Sequence, residues 1–273
     1  MSSAPAIRQM LLFAGAVRAT PLLKVAGRNV LDLPLTVDET VGQRWSAAHQ
    51  QLSDHLGSTP DLGVLIDRHS PKPASMPSDR SSVEADDVAF LGTGGVLRAA
   101  ASEREGLMLV ATGGGVLTQS LPHLVDQLLG LDADVALLAE HDGRPTGIML
   151  VSAEAMRSIP GSGYLDFKEQ CLPKIAEHCR VRVAYTDRGS RASLPIRDRE
   201  QYLEALGFVH EQAPFSIVER GAEVDTSARM REAVVLRGAR VGAGAVVGRS
   251  VLGPGSVVTA GQVLTDRAVG SST

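Results

Sequence analysis

The sequence predicts an α/β domain with a parallel or mixed sheet, followed by a short β-helix. Two observations carry this. Over residues 1–210, apolar runs of strand length alternate with amphipathic helical segments, the pattern of a sheet covered on both faces. From Val224 the apolar residues recur every six, with Gly and Pro at positions a helix would not tolerate. The composition permits both units. The chain has 273 residues, 44% hydrophobic and 21% charged, an ordinary globular balance with room for a real core. Disordered, collagen-like and coiled-coil classes are excluded.

The elements follow in order. Gln9–Ala16 is a short apolar run ending near Gly15, a buried strand running into a turn. Residues 21–28 form a loop with a tight turn at Gly27. Leu31–Leu56 reads as a helix, with Leu33, Val37, Val41, Trp45, Ala48 and Leu52 at three-to-four spacing. Leu62–Ile66 is a strand. Residues 67–87 carry Pro71, Pro73 and Pro77 among Ser and Asp, and read as a loop or mobile lid that includes His69. Val88–Leu91 reads as a strand, Val96–Ser102 as a helix, and Leu107–Ala111 as a buried strand ending at Gly113–Gly115. Then come a helix at Leu121–Leu129, strands at Val135–Ala139 and Thr146–Val151, and helices at Ala153–Ser158 and Lys168–Cys179. A strand at Val181–Tyr185 precedes a helix at Arg197–Leu206 capped by Gly207.

In the tail, Val224, Met230 and Leu236 share one phase. Val241 and Val247 follow after a slip to five, and Leu252, Val258 and Leu264 after another. Each six-residue unit is a short strand plus a corner, and three units close one triangular coil, giving about two and a half coils. The expected division is 1–210 for the α/β domain and 211–273 for the repeat.

Charge narrows the partners. The net charge is −4, and the aromatics are one Trp, three Tyr and five Phe. Neither a basic face nor a stacking platform is implied, so no nucleic-acid or membrane partner is expected. No apolar run reaches the ~20 residues of a membrane span, and Met1–Met10 lacks a signal-peptide pattern, so a cytoplasmic location is expected. Cys171 and Cys179 are expected as reduced thiols, being too few for a disulfide framework or a zinc site. The seven histidines show no ligand spacing, and no Gly-x-Ser-x-Gly or Walker loop is present. No histidine follows Glu211, which argues against an acyltransferase built on the repeat.

Several blocks, in order, resemble the sugar-1-phosphate nucleotidyltransferases, especially the mannose-1-phosphate guanylyltransferase type. Pro21-Leu-Leu-Lys-Val-Ala-Gly-Arg28 is similar to that family's PLLPVAGKP segment. Leu91-Gly-Thr-Gly-Gly-Val-Leu97 resembles LGTAGAL, and Leu109-Val-Ala-Thr-Gly-Gly-Gly-Val-Leu-Thr118 resembles LVLNGDVLTD. Pro145–Ser152 resembles NAGIYVLS, Asp166–Pro173 resembles DFEKDLLP, and Arg197–Ala205 resembles GTPEDYLEA. The resemblance implies a Rossmann-like nucleotidyltransferase domain with a mixed sheet and a C-terminal left-handed β-helix. It also implies nucleotide- or sugar-binding roles for Gly15, Gly92, Thr93, Gly94, Gly95, Gly115, Gly147 and Lys168.

The departures fall on the chemistry. Phosphoryl transfer is positioning plus electrostatics, so it needs backbone amides, cations and metal-holding carboxylates around the phosphates. Where the family has a longer Gly-rich start, only Gly15 remains. Arg18 stands near the family's arginine, and Thr20 replaces its lysine, with Lys24 four residues on. Gly115 replaces one metal-binding Asp, and Ser193–Ile196 offers no acid for the other. The sequence therefore implies a catalytically impaired relative with no metal site. It would act as a nucleotide-sugar-binding regulator or scaffold, assembled through the β-helix with itself or with an active relative. One alternative is an active pyrophosphorylase, with Arg18 and Lys24 on phosphate and Mg²⁺ on Asp32, Asp142 or Asp187. The other is a purely structural oligomerisation partner.

Overall fold

The computed structural model describes residues 6–15, 20–67, 70–76, 81–86, 88–102, 105–159 and 163–271. A seven-stranded mixed sheet organises the first of these. β1 (Ile7–Phe13) lies between β2 (Asp61–Asp67) and, on its other side, β4 (Leu107–Thr112), parallel to both. β3 (Ser81–Asp86) runs parallel outside β2. Beyond β4 lies β7 (Pro145–Ser152), antiparallel, then β6 (Val135–Ala139) and β8 (Val181–Tyr185). The order is β3-β2-β1-β4-β7-β6-β8, with a small separate pair of β5 (Gly115–Leu117) and β9 (Ser193–Pro195).

Burial explains the central places. β1 and β4 are almost continuously apolar because both faces of the sheet are covered. Alternate side chains feed two cores. Met10, Leu12 and Leu109 join one cluster with Leu31, Trp45 and Leu52, while Leu11 and Val110 join the other with Leu97, Met156 and Phe167. Each such Leu contributes roughly 1.5–3 kcal/mol of burial. β8, at the edge, is half-exposed along its length.

Several expected elements are corrected. Residues 21–26 are a helix, α1 (Pro21–Ala26), and not a loop. Thr20 Oγ1 accepts from the Leu23 amide, and Gly27 ends the helix in the left-handed region at φ 63°. The helix expected from Leu31 begins only at α2 (Val41–Leu56), where Thr40 and Gln43 form a capping box. Val37, counted toward the apolar stripe, is 67% exposed, and Leu31, Leu33 and Leu35 reach the core from a single 3-10 turn and a loop instead.

The strand expected at Val88–Leu91 is helical, the first piece of α3 (Val88–Ala101), which is kinked at the non-helical Gly92, and β3 lies inside the stretch read as a loop. A four-residue apolar run does not separate strand from helix. A charged, Ser-rich strand is suited to a sheet edge, where one ladder suffices and polar residues discourage further pairing. His69 lies outside the described residues.

α4 (Leu121–Leu129) and α5 (Ala153–Arg157) stand close to expectation. The single helix expected at Lys168–Cys179 is instead a π turn, Phe167–Cys171, followed by α6 (Leu172–Ala176). Pro173 cannot donate to the turn before it, which favours the wider winding. α7 (Arg199–Val209) runs through Gly207, and the chain turns at Glu211 and Gln212, both at positive φ.

The tail holds ten strands in three parallel sheets visited in rotation. β10 (Ser216–Val218), β13 (Ala233–Val235), β16 (Val251–Leu252) and β19 (Ala268–Val269) form one. β11 (Glu223–Val224), β14 (Arg240–Val241) and β17 (Val257–Val258) form the second. β12 (Arg229–Arg231), β15 (Val246–Gly248) and β18 (Val263–Thr265) form the third. Partners are offset by 17 residues, as in Val224↔Val241↔Val258 and Met230↔Val247↔Leu264. A five-residue step recurs in each coil, from Met230 to Val235 and from Val247 to Leu252, so Val235, and not the expected Leu236, is in phase with Leu252. This layout is compatible with a β-helix. It begins at Ser216 and exceeds the expected two and a half coils, because β10 and β19 had no six-residue signal of their own.

Corners repeat as the strands do. Gly221, Gly238 and Gly255 hold one corner at φ 90°, 83° and 74°, where a side chain would be strained. Another corner is held at positive φ by Glu232, Arg249 and Asp266. Their charges alternate, and Arg249 pairs with both acids, at 3.2 and 3.0 Å.

Sheet and tail share a core. Ile217, Val234 and Val251 lie in the same buried cluster as Leu31 and Tyr202. Arg28 meets Glu219 through two hydrogen bonds, at 2.6 and 3.0 Å, and Arg199 reaches Asp266 at 3.1 Å. Gly253 lies against the Val25 carbonyl with no room for a Cβ.

Candidate functional site

The strand order reverses at β1 and β4, and a crevice opens there beyond their carboxyl ends, where open α/β sheets bind ligands. Two lobes fill it, of about 670 and 330 Å³. Phe13, Gly15, Thr112, Pro145, Gly147 and Lys168 line both and form their seam.

The expected residues divide. Gly15, Gly147 and Lys168 lie at the seam, Thr93 in the larger lobe, and Gly115 in the smaller. Gly147 sits at φ 81°, and a Cβ there would collide with Thr112 Oγ1. Gly92, Gly94 and Gly95 line neither lobe. A side chain on Gly92 would strike the Leu165 carbonyl, and one on Gly94 the Cys171 sulfur. The Gly94 amide donates to Leu165 O at 2.8 Å, and Thr93 Oγ1 accepts from the Phe167 amide at 3.0 Å. The glycines therefore let α3 clamp the 165–171 segment, which carries Asp166 and Lys168 to the cleft.

The remaining candidates lie elsewhere. Arg18 falls outside the described residues. Lys24 is exposed on α1 and lines neither lobe. Asp32 accepts from the Ala74 and Ser75 amides, at 3.0 and 2.8 Å. Asp142 bonds the Arg144 amide and guanidinium, which hold its carboxyl below the ordinary value. Asp187 is exposed, and none of these three acids lines the cleft.

The corner after β4 is held rigidly. Trp45, 2% exposed, donates its indole N–H to the carbonyls of Gly113 and Gly115, each at 3.0 Å. The Gly113 amide donates to Phe13 O at 2.9 Å. Asn29 ties the end of β1 in place, donating to Ala14 O and Pro71 O while accepting from the Leu31 amide.

Charge separates the lobes. The smaller is lined, among the described residues, by Lys168 and Arg197, with Thr20, Thr112, Thr146 and Ser193, and by no carboxylate. Among the described residues neither cation is ion-paired. Asp166 is the one acid lining the cleft among the described residues, and its Oδ1 accepts the amides of Lys168 and Glu169, both at 2.9 Å. A divalent cation of the Mg²⁺ kind needs several oxygen ligands, commonly carboxylate. One capping carboxylate does not meet that need, and no group of three His, Cys, Asp or Glu converges among the described residues. Among the described residues, the donor set of the cleft does not fit a metal site.

Arg197 was missed as a site residue. It precedes the Asp198 cap of α7, where it read as a helix start, and only its place in the lining of the smaller lobe, just after β9, reveals it. Cys171 is buried and Cys179 half-buried, both free, and burial raises both thiol pKa values.

No protein-family model matches the sequence, and comparison with curated proteins gives no match. Among described residues no helix is long and apolar enough to cross a membrane. Solved structures do match. A putative glucose-1-phosphate thymidylyltransferase from Bacillus anthracis, in complex with sucrose, superposes with a TM-score of 0.54 at 10% identity, covering 75% of this chain and 96% of that one. HddC from Yersinia pseudotuberculosis superposes with a TM-score of 0.50 at 15% identity, covering 73% and 98%. At these identities the likeness establishes the fold.

Proposed function

We propose that this chain binds a nucleotide or nucleotide sugar in the cleft without turning it over, and serves as a regulatory or scaffold subunit in sugar-nucleotide metabolism. The observation that carries this is the smaller lobe, where Lys168 and Arg197 line a shared space with no carboxylate among the described residues. Such a lobe neutralises a phosphate by direct charge-assisted contact and needs no metal bridge. The nucleotidyltransferase-like fold supports the ligand class. The reading includes two units, 1–210 and 211–273, the second a left-handed β-helix, and a cytoplasmic setting in keeping with two free thiols.

Thermal shift and calorimetry against nucleotides and nucleotide sugars, with Mg²⁺ or EDTA, test it. A ligand at a hundredfold excess over Kd stabilises by about 2.7 kcal/mol, a readable shift. The expected result is a shift equal in Mg²⁺ and EDTA, lost in Lys168→Ala and Arg197→Ala, with no pyrophosphate released from nucleoside triphosphate and sugar 1-phosphate. Mg²⁺-dependent pyrophosphate release overturns the reading in favour of an active transferase.

The tail favours assembly with a second copy. Val257 and Val263, on the last strands of two of its sheets, are 60% and 67% exposed. Val257→Lys with Val263→Lys should lower the mass seen in light scattering, and an unchanged mass removes the assembly from the reading.

A further inference from the structure

The two lobes differ in chemistry as well as size. The larger is walled by Phe13, Leu65, Leu137, Met149, Leu172 and Val183, drawn from five strands and α6. Two of its lining residues, Val183 and Tyr185 on the edge strand β8, are 40% and 57% exposed. Two of its polar groups already serve the chain, Thr93 accepting from the Phe167 amide and Asp166 capping the π turn. Thr112 and Lys168 stand at the seam with the smaller lobe. A sugar ring seated in the larger lobe would lose water from its hydroxyls and meet mostly hydrocarbon, which is unfavourable. A hydrocarbon chain there would lose nothing polar and would cover an apolar wall.

We propose that the cleft is built for an amphiphile, a phosphate monoester of an alkyl or prenyl chain. Its phosphate sits in the smaller lobe between Lys168 and Arg197, and its chain runs across the seam into the larger lobe. The volume of the larger lobe lies within the ordinary range for a small-molecule site. Charge complementarity fixes the direction, because Arg197 lines the smaller lobe alone, Lys168 stands at the seam, and the Asp166 carboxylate lines the larger lobe. This inference rests on the function proposed above for the phosphate seat alone. The apolar body is a separate claim.

A homologous series separates the two. Butyl, hexyl, octyl and decyl phosphate are titrated into the full-length protein by calorimetry, each below its aggregation concentration. Affinity should rise about fourfold per methylene, equivalent to ~0.8 kcal/mol, until the larger lobe is full, and then level off. Lys168→Ala or Arg197→Ala should weaken every member by the same factor and leave the slope intact. Met149→Thr, a half-buried position on β7, should flatten the slope and spare the shortest member.

Each outcome has a meaning. A rising series in competition with nucleotides supports both readings. A rising series without nucleotide binding supports the amphiphile and overturns the nucleotide-sugar function. Nucleotide binding with a flat series overturns the amphiphile and leaves the function standing. No binding by either class overturns both.

Discussion

The tail uses one 17-residue unit over and over, whereas the seven-stranded sheet uses each strand once. Val224, Val241 and Val258 do the same job on successive coils. By contrast, Phe13, Thr112, Gly147, Lys168 and Arg197 come to the cleft from different elements, with no repeat relating them. A coil can lean on its neighbours above and below. The cleft cannot, since each of its groups depends on one local support: Trp45 for the glycine corner, α3 for the 165–171 segment, Asn29 for the end of β1. Repetition distributes stability, while a binding site concentrates it.

The largest test strikes the tail. Leu252 is fully buried in the middle of its sheet, between Val235 and Val269. Leu252→Ala should cost about 3–4 kcal/mol in chemical denaturation, through lost burial and the cavity left behind. If the tail is one cooperative stack with the sheet, the unfolding remains a single transition. A split transition would show that the two regions unfold separately.

The matching test in the sheet is Gly92→Ala. Its φ of 69° and the Leu165 carbonyl against it should together cost about 2–3 kcal/mol. Unlike Leu252→Ala, it should also weaken ligand binding, because it displaces the segment that carries Lys168. Equal binding at equal stability would separate the clamp from the cleft.

Arg28→Ala probes the joint. It removes two hydrogen bonds to Glu219, which then keeps only the Arg237 amide, and it should cost about 2 kcal/mol. The smallest effect is one of pH. Asp266 is bonded by the guanidinium groups of Arg199 and Arg249, and these hold its carboxyl below the ordinary 3.8. The native value being the lower, the stabilisation is present above that ordinary value and fades as pH falls through the depressed one. The gap in melting temperature between wild type and Asp266→Asn should be level at neutral pH, close below pH 3.8, and shrink in high salt because the Asp266 carboxylate is exposed. A gap that widens in acid would contradict this sign.

The same contrast explains what could be read from residues alone. The tail was legible because each position is written three times, so even its slips to five were visible before their meaning was. Central strands such as β4 and β6 were legible from continuous apolar runs. β3 was not, since an edge strand needs little apolar content. α1 was misread because its capping glycine looks like any turn glycine. In the cleft, Lys168 and Gly147 were reached through ordered motifs, whereas Arg197 and the apolar wall were not. Those groups lie far apart in sequence and share no spacing, so only the packed strands bring them together.

The 17-residue offset also limits how the tail can change in length. Removing residues 234–250 would splice one coil cleanly onto the next, leaving each corner glycine and each inward valine in phase. Removing one residue more or fewer would turn interior valines toward water and force residues with side chains into corners that Gly238 and Gly255 occupy. Insertions and deletions here should therefore survive in whole coils or as bulges at a corner, so that length in this part of the molecule comes in steps.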